Sequence, residues 1–272
     1  MTTQQFVFIG AGHMASSLIG GMVRQGISAS TIGACDHNPG KLESLQNQYQ
    51  IATYADSISA MDAAEVVILA VKPQVMQDLC QTLKKQGNVE GKLFISIAAG
   101  IRCEQLQNWL GHVPIIRCMP NLPAKVGEGV TGVYAPEDIT ASQKQSAERA
   151  LSSVGQVVWL DNEAAINHII AIAGSAPAYF FLFMDAMQQY AQELGFSEEQ
   201  AREMVTHTAL GSVKLALNDA QTTLATMCQN VAVKGGTTAE AVQVFEQAGL
   251  RETVKQAMQA AIERGQQLER QL

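Results

Sequence analysis

The stretch FVFIGAGHMA, residues 6–15, constrains this chain more than any other part of it. Four apolar residues suited to a buried strand run directly into Gly10-x-Gly12-x-x-Ala15, and a helix-like segment follows. Gly10 permits a tight turn, Gly12 lets a pyrophosphate approach the backbone, and Ala15 lets helix and strand pack closely. His13 and Met14 complete the loop at the helix start, where unpaired N–H groups and the helix dipole favour an anion. The next apolar run, TIGACD (31–36), ends on a carboxylate. An acidic residue at that point usually bonds the adenosine ribose 2′-hydroxyl and selects NADH. His37, Asn38 and Lys41 come next and are able to accommodate the extra phosphate of NADPH. Asp36 and Asn38 are therefore expected at the cofactor, with NADH and NADPH both open. A reading in which the two only shape the DHNPG turn stays open beside it.

The first half of the chain repeats this pattern. Apolar runs at 65–71, 92–98, 114–119, 129–135 and 155–160 alternate with amphipathic segments. Such alternation indicates βαβ units and a mainly parallel sheet, with strands buried on both faces. After Asp161 the pattern becomes helical throughout. The expected fold class is α/β: a Rossmann-like dinucleotide-binding domain over 1–161, then an all-α domain over 162–272. Ser197-x-x-Gln200 reads as a capping box for a helix reaching Asn218, and LRETVKQAMQAAIERGQQLERQL reads as a closing helix. The segment AAINHIIAIAGSAPAYFFLFMDAMQQYAQEL is apolar almost all round, more than one small helical domain can bury. An intertwined homodimer is expected, with Tyr179 to Phe183 in the core or at the interface. Pro177 is expected to kink this helix and expose backbone groups.

Composition narrows the partners. A net charge of −7 argues against nucleic acid and anionic membrane, which require clustered Lys and Arg. The N-terminal MTTQQ has no basic region of the kind that opens a signal peptide, and no uninterrupted apolar run approaches the ~18 residues of a membrane span. Cysteines at 35, 80, 103, 118 and 228 form no C-x-x-C pair. Buried, reduced thiols in a cytoplasmic protein follow, with no metal site.

Near the end stands VKGGTTAEAV, residues 233–242, a second glycine turn into a helix. Thr237-x-x-Glu240 reads as a capping box, and the helix start offers N–H groups to an anion.

Five segments in order, AVKPQ (70–74), SIAAGI (96–101), RCMPNLPAKVGEG (117–129), AGSAPAYFFLFMDAM (173–187) and GGTTAEAV (235–242), resemble the pyrroline-5-carboxylate reductases. The resemblance runs from Phe6 to about Phe245. It implies NAD(P)H-dependent reduction of 1-pyrroline-5-carboxylate to L-proline, the last step of proline biosynthesis. It implies an active site where the helices of one subunit meet the Rossmann domain of the other, and dimers that in some members build decamers. Residue by residue, Ala70, Val71, Lys72 and Pro73 are similar to the loop under the cofactor ribose and phosphates. Ala98, Ala99 and Gly100 are similar to the segment flanking the nicotinamide ribose. Met119, Pro120 and Asn121 match the strand-end motif beside the nicotinamide, Asn121 on the cofactor and Met119 towards the substrate. Ser175 is a further substrate contact, and Gly235, Gly236, Thr237 and Thr238 resemble the substrate loop. Thr238 is the catalytic candidate, orienting the imine nitrogen. Val233 stands where the family often has a serine, and Leu122 where a threonine is usual. Two rivals stay in view: a β-hydroxyacid dehydrogenase, whose catalytic lysine is missing from GSAPAYFFLFMD, and a non-catalytic NAD(P)-binding protein.

Overall fold

The computed structural model describes residues 4–271. The opening residues 1–3, on which part of the N-terminal reading rests, lie outside them. β1 (Gln4–Ile9) enters α1 (His13–Arg24), β2 (Ile32–Cys35) enters α2 (Pro39–Tyr49), and β3 (Ala52–Tyr54) enters α3 (Ser57–Asp62). Then come β4 (Ala64–Leu69), α4 (Pro73–Gln86), β5 (Leu93–Ser96), α5 (Cys103–Leu110) and β6 (Ile115–Met119). β7 (Gly129–Tyr134), α6 (Ala141–Leu151), β8 (Gly155–Leu160) and the short α7 (Ala165–Ile169) complete the alternation. Five helices follow: α8 (Ala176–Glu193), α9 (Glu198–Asn218), α10 (Leu224–Val231), α11 (Thr237–Gln247) and α12 (Leu250–Gln271).

The eight strands form one sheet in the order β3-β2-β1-β4-β5-β6-β7-β8. Every pairing is parallel except β6 with β7. β1 and β4 are neighbours, so the strand order reverses between them. In open parallel sheets such a switch point leaves a crevice beyond the strand carboxyl ends. Successive side chains of a strand face opposite ways. Phe6 and Phe8 accordingly join a core with Leu18, Ile19 and Met22 of α1 and Leu151 of α6. Val7 and Ile9 join the opposite core, with Met76, Cys80 and Leu83 of α4 and Leu106 of α5. The sheet is thus buried on both faces, as continuous apolar strands require. One strand, β3, was not expected: its three residues are all half-buried and too few to show a periodicity.

The chain divides into two compact units, residues 1–175 with 261–272, and residues 176–260. Residues 162–175 and the end of α12 belong to the first because they pack on the sheet side. Ile169 covers Gly132 of β7 so closely that a Cβ there would lie 2.6 Å from Ile169 Cγ1. In the second unit, α9 begins with the expected capping box, Gln200 N donating to Ser197 Oγ at 3.2 Å and Ser197 N to Gln200 Oε1 at 3.1 Å.

The helical run Ala165–Glu193 matches a membrane span by length and mean hydropathy, while Ser175 and Pro177 interrupt its apolar stretch. Most of it is uncovered within one chain, with Phe180, Phe181 and Leu182 more than half exposed. One expectation needs correction: Cys228 is exposed, while the other four cysteines are buried as expected; all five are free thiols.

Candidate active site

The glycine loop has the geometry its spacing requires. Gly10 adopts φ +103°, in the region that favours glycine, and a Cβ on it would lie 2.5 Å from Ala70 O. Gly10 N donates to Cys35 O at 2.7 Å and Ala70 N to Ile9 O at 2.8 Å, locking the ends of β1, β2 and β4 together. Above Gly12 a Cβ would meet nothing within 4 Å, so this face is open for an approaching group. Ala15 is buried against the sheet, Met14 is half-buried, and His13 is exposed at the first position of α1.

The sheet order brings the remaining cofactor candidates of the first unit to one edge. Ala70 and Val71 leave β4, exposed Lys72 is the N-cap of α4, and Pro73 is its first residue. Ala98, Ala99 and Gly100 leave β5, with Ala98 and Gly100 buried. Met119, Pro120 and Asn121 leave β6. Asp36 sits one residue past β2, but its carboxylate turns inward: Oδ2 accepts from Ala11 N at 2.8 Å and Oδ1 from Asn38 N at 2.9 Å.

Asn121 is buried, and its amide is spent on the protein. Oδ1 accepts from Val130 N at 2.8 Å and Nδ2 donates to Ala173 O at 3.0 Å. The second bond has a local cause. Between α7 and α8 the backbone makes a π turn over Ile170–Gly174, with Ser175 N donating to Ile170 O at 2.7 Å. Ala173 O would look four residues ahead for a helical donor, and that residue is Pro177, which has no N–H. Asn121 supplies the donor instead. The kink expected at 174–177 is therefore a π turn, and the carbonyl it frees is held by a side chain. A Cβ at Gly174 would lie 3.5 Å from Met119 Cε, so Met119 and the turn carrying Ser175 stand side by side.

Behind these loops lies an ion-pair cluster not anticipated from the sequence. Arg117 of β6, fully buried, reaches Glu163 Oε1 at 3.1 Å and Glu269 Oε1 of α12 at 2.7 Å. Glu163 also accepts from Cys103 N at 2.7 Å, fixing the start of α5 just after Gly100. Burial first, then the Glu163 charge, pushes the Cys103 thiol up to about 12, so it stays protonated and inert. A lone arginine inside an apolar strand, IIRCM, was the available signal.

In the second unit, the turn into α11 opens with Gly235 at φ +79° and is closed by Gly236 N donating to Val233 O at 3.0 Å. The expected capping box is absent. The N-cap is Gly236, Thr237 is already helical, and no side chain bonds the helix start. Thr238 is half-buried and Thr237 exposed. α1, α4 and the short α7 also start without a side-chain cap, whereas α2, α3, α6, α9 and α10 take one from Asn38, Asp56, Thr140, Ser197 and Thr223. Three candidate loops, at the starts of α1, α4 and α11, thus keep N–H groups unspent, whereas Asn38 caps α2 and Glu163 takes the Cys103 N–H at the start of α5. No cluster able to hold a metal ion occurs among the described residues.

Comparison with known proteins agrees with this layout. Residues 163–268 match the family model for pyrroline-5-carboxylate reductase dimerisation, and residues 5–100 match that for NADP oxidoreductase, coenzyme F420-dependent. The pyrroline-5-carboxylate reductase of Vibrio alginolyticus is 42% identical over 271 residues, covering 99% of both chains. That of Pseudomonas aeruginosa is 41% identical, covering 100% of this chain and 99% of its own. The solved pyrroline-5-carboxylate reductase of Coxiella burnetii superposes with a TM-score of 0.92 at 35% identity, covering 98% of both chains. A Plasmodium falciparum pyrroline carboxylate reductase solved with NADP bound shares the fold, with a TM-score of 0.86 at 23% identity over 99% of both chains.

Proposed function

The chain belongs to the pyrroline-5-carboxylate reductase family, and from that premise we propose how its own residues divide the reduction of 1-pyrroline-5-carboxylate to L-proline by NAD(P)H. One observation carries the division: α1, α4 and α11 leave their first N–H groups uncapped. Two of these starts serve the dinucleotide. Gly10, Gly12, His13, Met14 and Ala15 form the pyrophosphate turn, where the open face of Gly12 and the blocked Cβ position of Gly10 fit such a group. Ala70, Val71, Lys72 and Pro73 line the ribose side, Ala98 to Gly100 the nicotinamide ribose, with Asp36 and Asn38 at the adenosine end. Asn121 acts behind the nicotinamide by fixing the π turn.

The third start, at Gly235 to Thr238, takes the substrate carboxylate on backbone N–H groups. Met119 and Ser175 complete the substrate contacts. The reduced nicotinamide supplies the hydride that forms the new C–H bond as the C=N bond becomes a single bond. Thr238 Oγ1 hydrogen-bonds the ring nitrogen, whose proton comes from the protonated imine or from water. No protein acid or base is needed for that proton. Positioning can then provide much of the rate.

We assign cofactor binding to residues 1–161 and substrate binding and dimerisation to 162–272. The second copy of the chain explains the uncovered apolar face of α8, whose composition alone would also suit a membrane. The net charge of −7 supports a partner list without nucleic acid or membrane, and four buried thiols suit the cytoplasm. Decamers built from dimers are the larger assembly, tested by light scattering. The deciding assay follows NAD(P)H oxidation with 1-pyrroline-5-carboxylate beside a β-hydroxyacid. Oxidation with the imine alone is expected; oxidation only with the hydroxyacid would overturn the reading.

A further inference from the structure

Glu163 gives one oxygen to two partners. Its Oε1 accepts from Cys103 N at 2.7 Å and from Arg117 Nη1 at 3.1 Å, while Oε2 has Arg102 Nε at 3.7 Å. Cys103 is the first residue of α5, and the first N–H groups of a helix have no partner inside it. The carboxylate satisfies one of them from 60 residues away. Arg117 itself is no receptor for an incoming anion. Its side chain is 1% exposed, and its two Nη atoms are bonded to Glu163 and Glu269. The cluster is internal, with Arg102 and Arg117 balancing Glu163 and Glu269.

The carboxylate joins the bases of three site segments. Gly100, at φ +78°, closes the loop after β5 and stands three residues before Cys103. Met119 stands two residues after Arg117, and therefore on the same face of β6. Glu163 stands two residues ahead of α7, which runs into the π turn and Ser175. Met119 in turn lies against that turn at Gly174. One side chain thus holds the loop after β5 and the loop after β6 at a single spacing, from the segment that carries Ser175. Glu269 bonds the same guanidinium from α12, outside these loops.

We propose that Glu163 is a positioning residue for hydride transfer, its reach setting the distance between the nicotinamide-side segments Ala98–Gly100 and Met119–Asn121. The proposal rests on the reductase reading above. A misplacement of about 1 Å can cost about 100-fold in rate, so the length of this side chain matters more than its charge. Glu163→Gln keeps the reach and an acceptor oxygen. Glu163→Asp keeps the charge but is one methylene shorter and cannot span Cys103 N and Arg117 Nη1 together. Cys103→Pro deletes the donor alone, at a first helical position where proline is favoured and after an Arg102 already extended at ψ 157°. The full-length variants are compared with wild type and Glu269→Gln in the steady-state oxidation of NAD(P)H by 1-pyrroline-5-carboxylate. The readouts are kcat, its isotope effect with cofactor deuterated at the transferred position, the melting temperature and the calorimetric affinity for ADP, which lacks the nicotinamide. Glu163→Asp and Cys103→Pro should each lower kcat about tenfold and enlarge the isotope effect, with ADP affinity unchanged. Glu163→Gln should stay within about threefold of wild type. Glu269→Gln should lower the melting temperature, a buried guanidinium having lost a charge partner, with kcat within about twofold of wild type. A kcat lowered as much by Glu163→Gln as by Glu163→Asp overturns the proposal. So does a kcat lowered no more by Glu163→Asp or Cys103→Pro than by Glu269→Gln. Wild type that oxidises neither NADPH nor NADH with the imine overturns the reductase reading beneath it, and the proposal with it.

Discussion

Asn121 shows how a residue can matter at a site without offering it a polar atom. Both ends of its amide are committed, to Val130 N and Ala173 O. Removing a buried hydrogen-bond partner costs about 1–3 kcal/mol for each group abandoned. Asn121→Ala should therefore lower the melting temperature by roughly 4–12 °C, a domain-sized ΔΔG translated by the usual unfolding entropy. Asn121→Asp sets a buried carboxylate oxygen against Ala173 O, so at neutral pH its melting temperature should fall at least as far as that of Asn121→Ala; calorimetry ranks the three. Thr238 makes the contrasting case, with no bond of its own at the helix start. Thr238→Ala should leave the melting temperature within about 2 °C, since exposed or half-exposed sites rarely exceed ~0.5 kcal/mol. Its kcat/KM should fall about tenfold, the equivalent of one hydrogen bond of ~1.4 kcal/mol lost in the transition state. Steady-state kinetics at saturating cofactor measures this, and unchanged kinetics would remove Thr238 from the site.

At the level of elements, local chemistry was legible where one or two residues decide the outcome. The turn at Gly10, the cap at Ser197 and seven of the eight strands follow from short patterns of glycine, serine and apolar residues. Reading failed where the decision lies far away in the chain. Thr237-x-x-Glu240 has the composition of a capping box, yet the helix begins one residue earlier than that box requires, because Gly236 folds back on Val233 O. Pro177 signalled a break, but what fills it comes from Asn121, 52 residues before Ala173. Arg117 finds its two carboxylates 46 and 152 residues away, and Asp36 turns towards Ala11 rather than outward. The π turn itself invites a test. Pro177→Ala restores an N–H to Ala173 O and lets the turn relax towards α-helix, in competition with Asn121. Folding should be retained, with slower amide hydrogen exchange over 175–178 and a clear loss of kcat/KM as Ser175 moves. Wild-type turnover together with slowed exchange would separate the π turn from catalysis.

Across the whole molecule, the buried thiols set a limit at alkaline pH. Burial raises Cys35 to about 11 and Cys80 and Cys103 to about 12, from an ordinary value of 9.0. Cys118, wholly buried, moves in the same direction. Above pH 9 the unfolded chain loses these protons while the fold retains them, so stability falls as pH rises. The contribution is complete below about pH 9 and disappears as the pH approaches 12. Denaturant midpoints should decline over that window, and Cys80→Ala and Cys103→Ala should each flatten the decline; a midpoint constant to pH 11 would refute the linkage. The Arg117 cluster bears on a different matter, the order in which the molecule is made. Arg117 is buried in the sheet, but its shorter carboxylate contact comes from Glu269, 152 residues later. Domains usually fold from the N-terminus as the ribosome delivers them. Here a nascent sheet carries a guanidinium only half compensated until the last turns of α12 have been synthesised, so the first unit of the chain is also among the last to be finished.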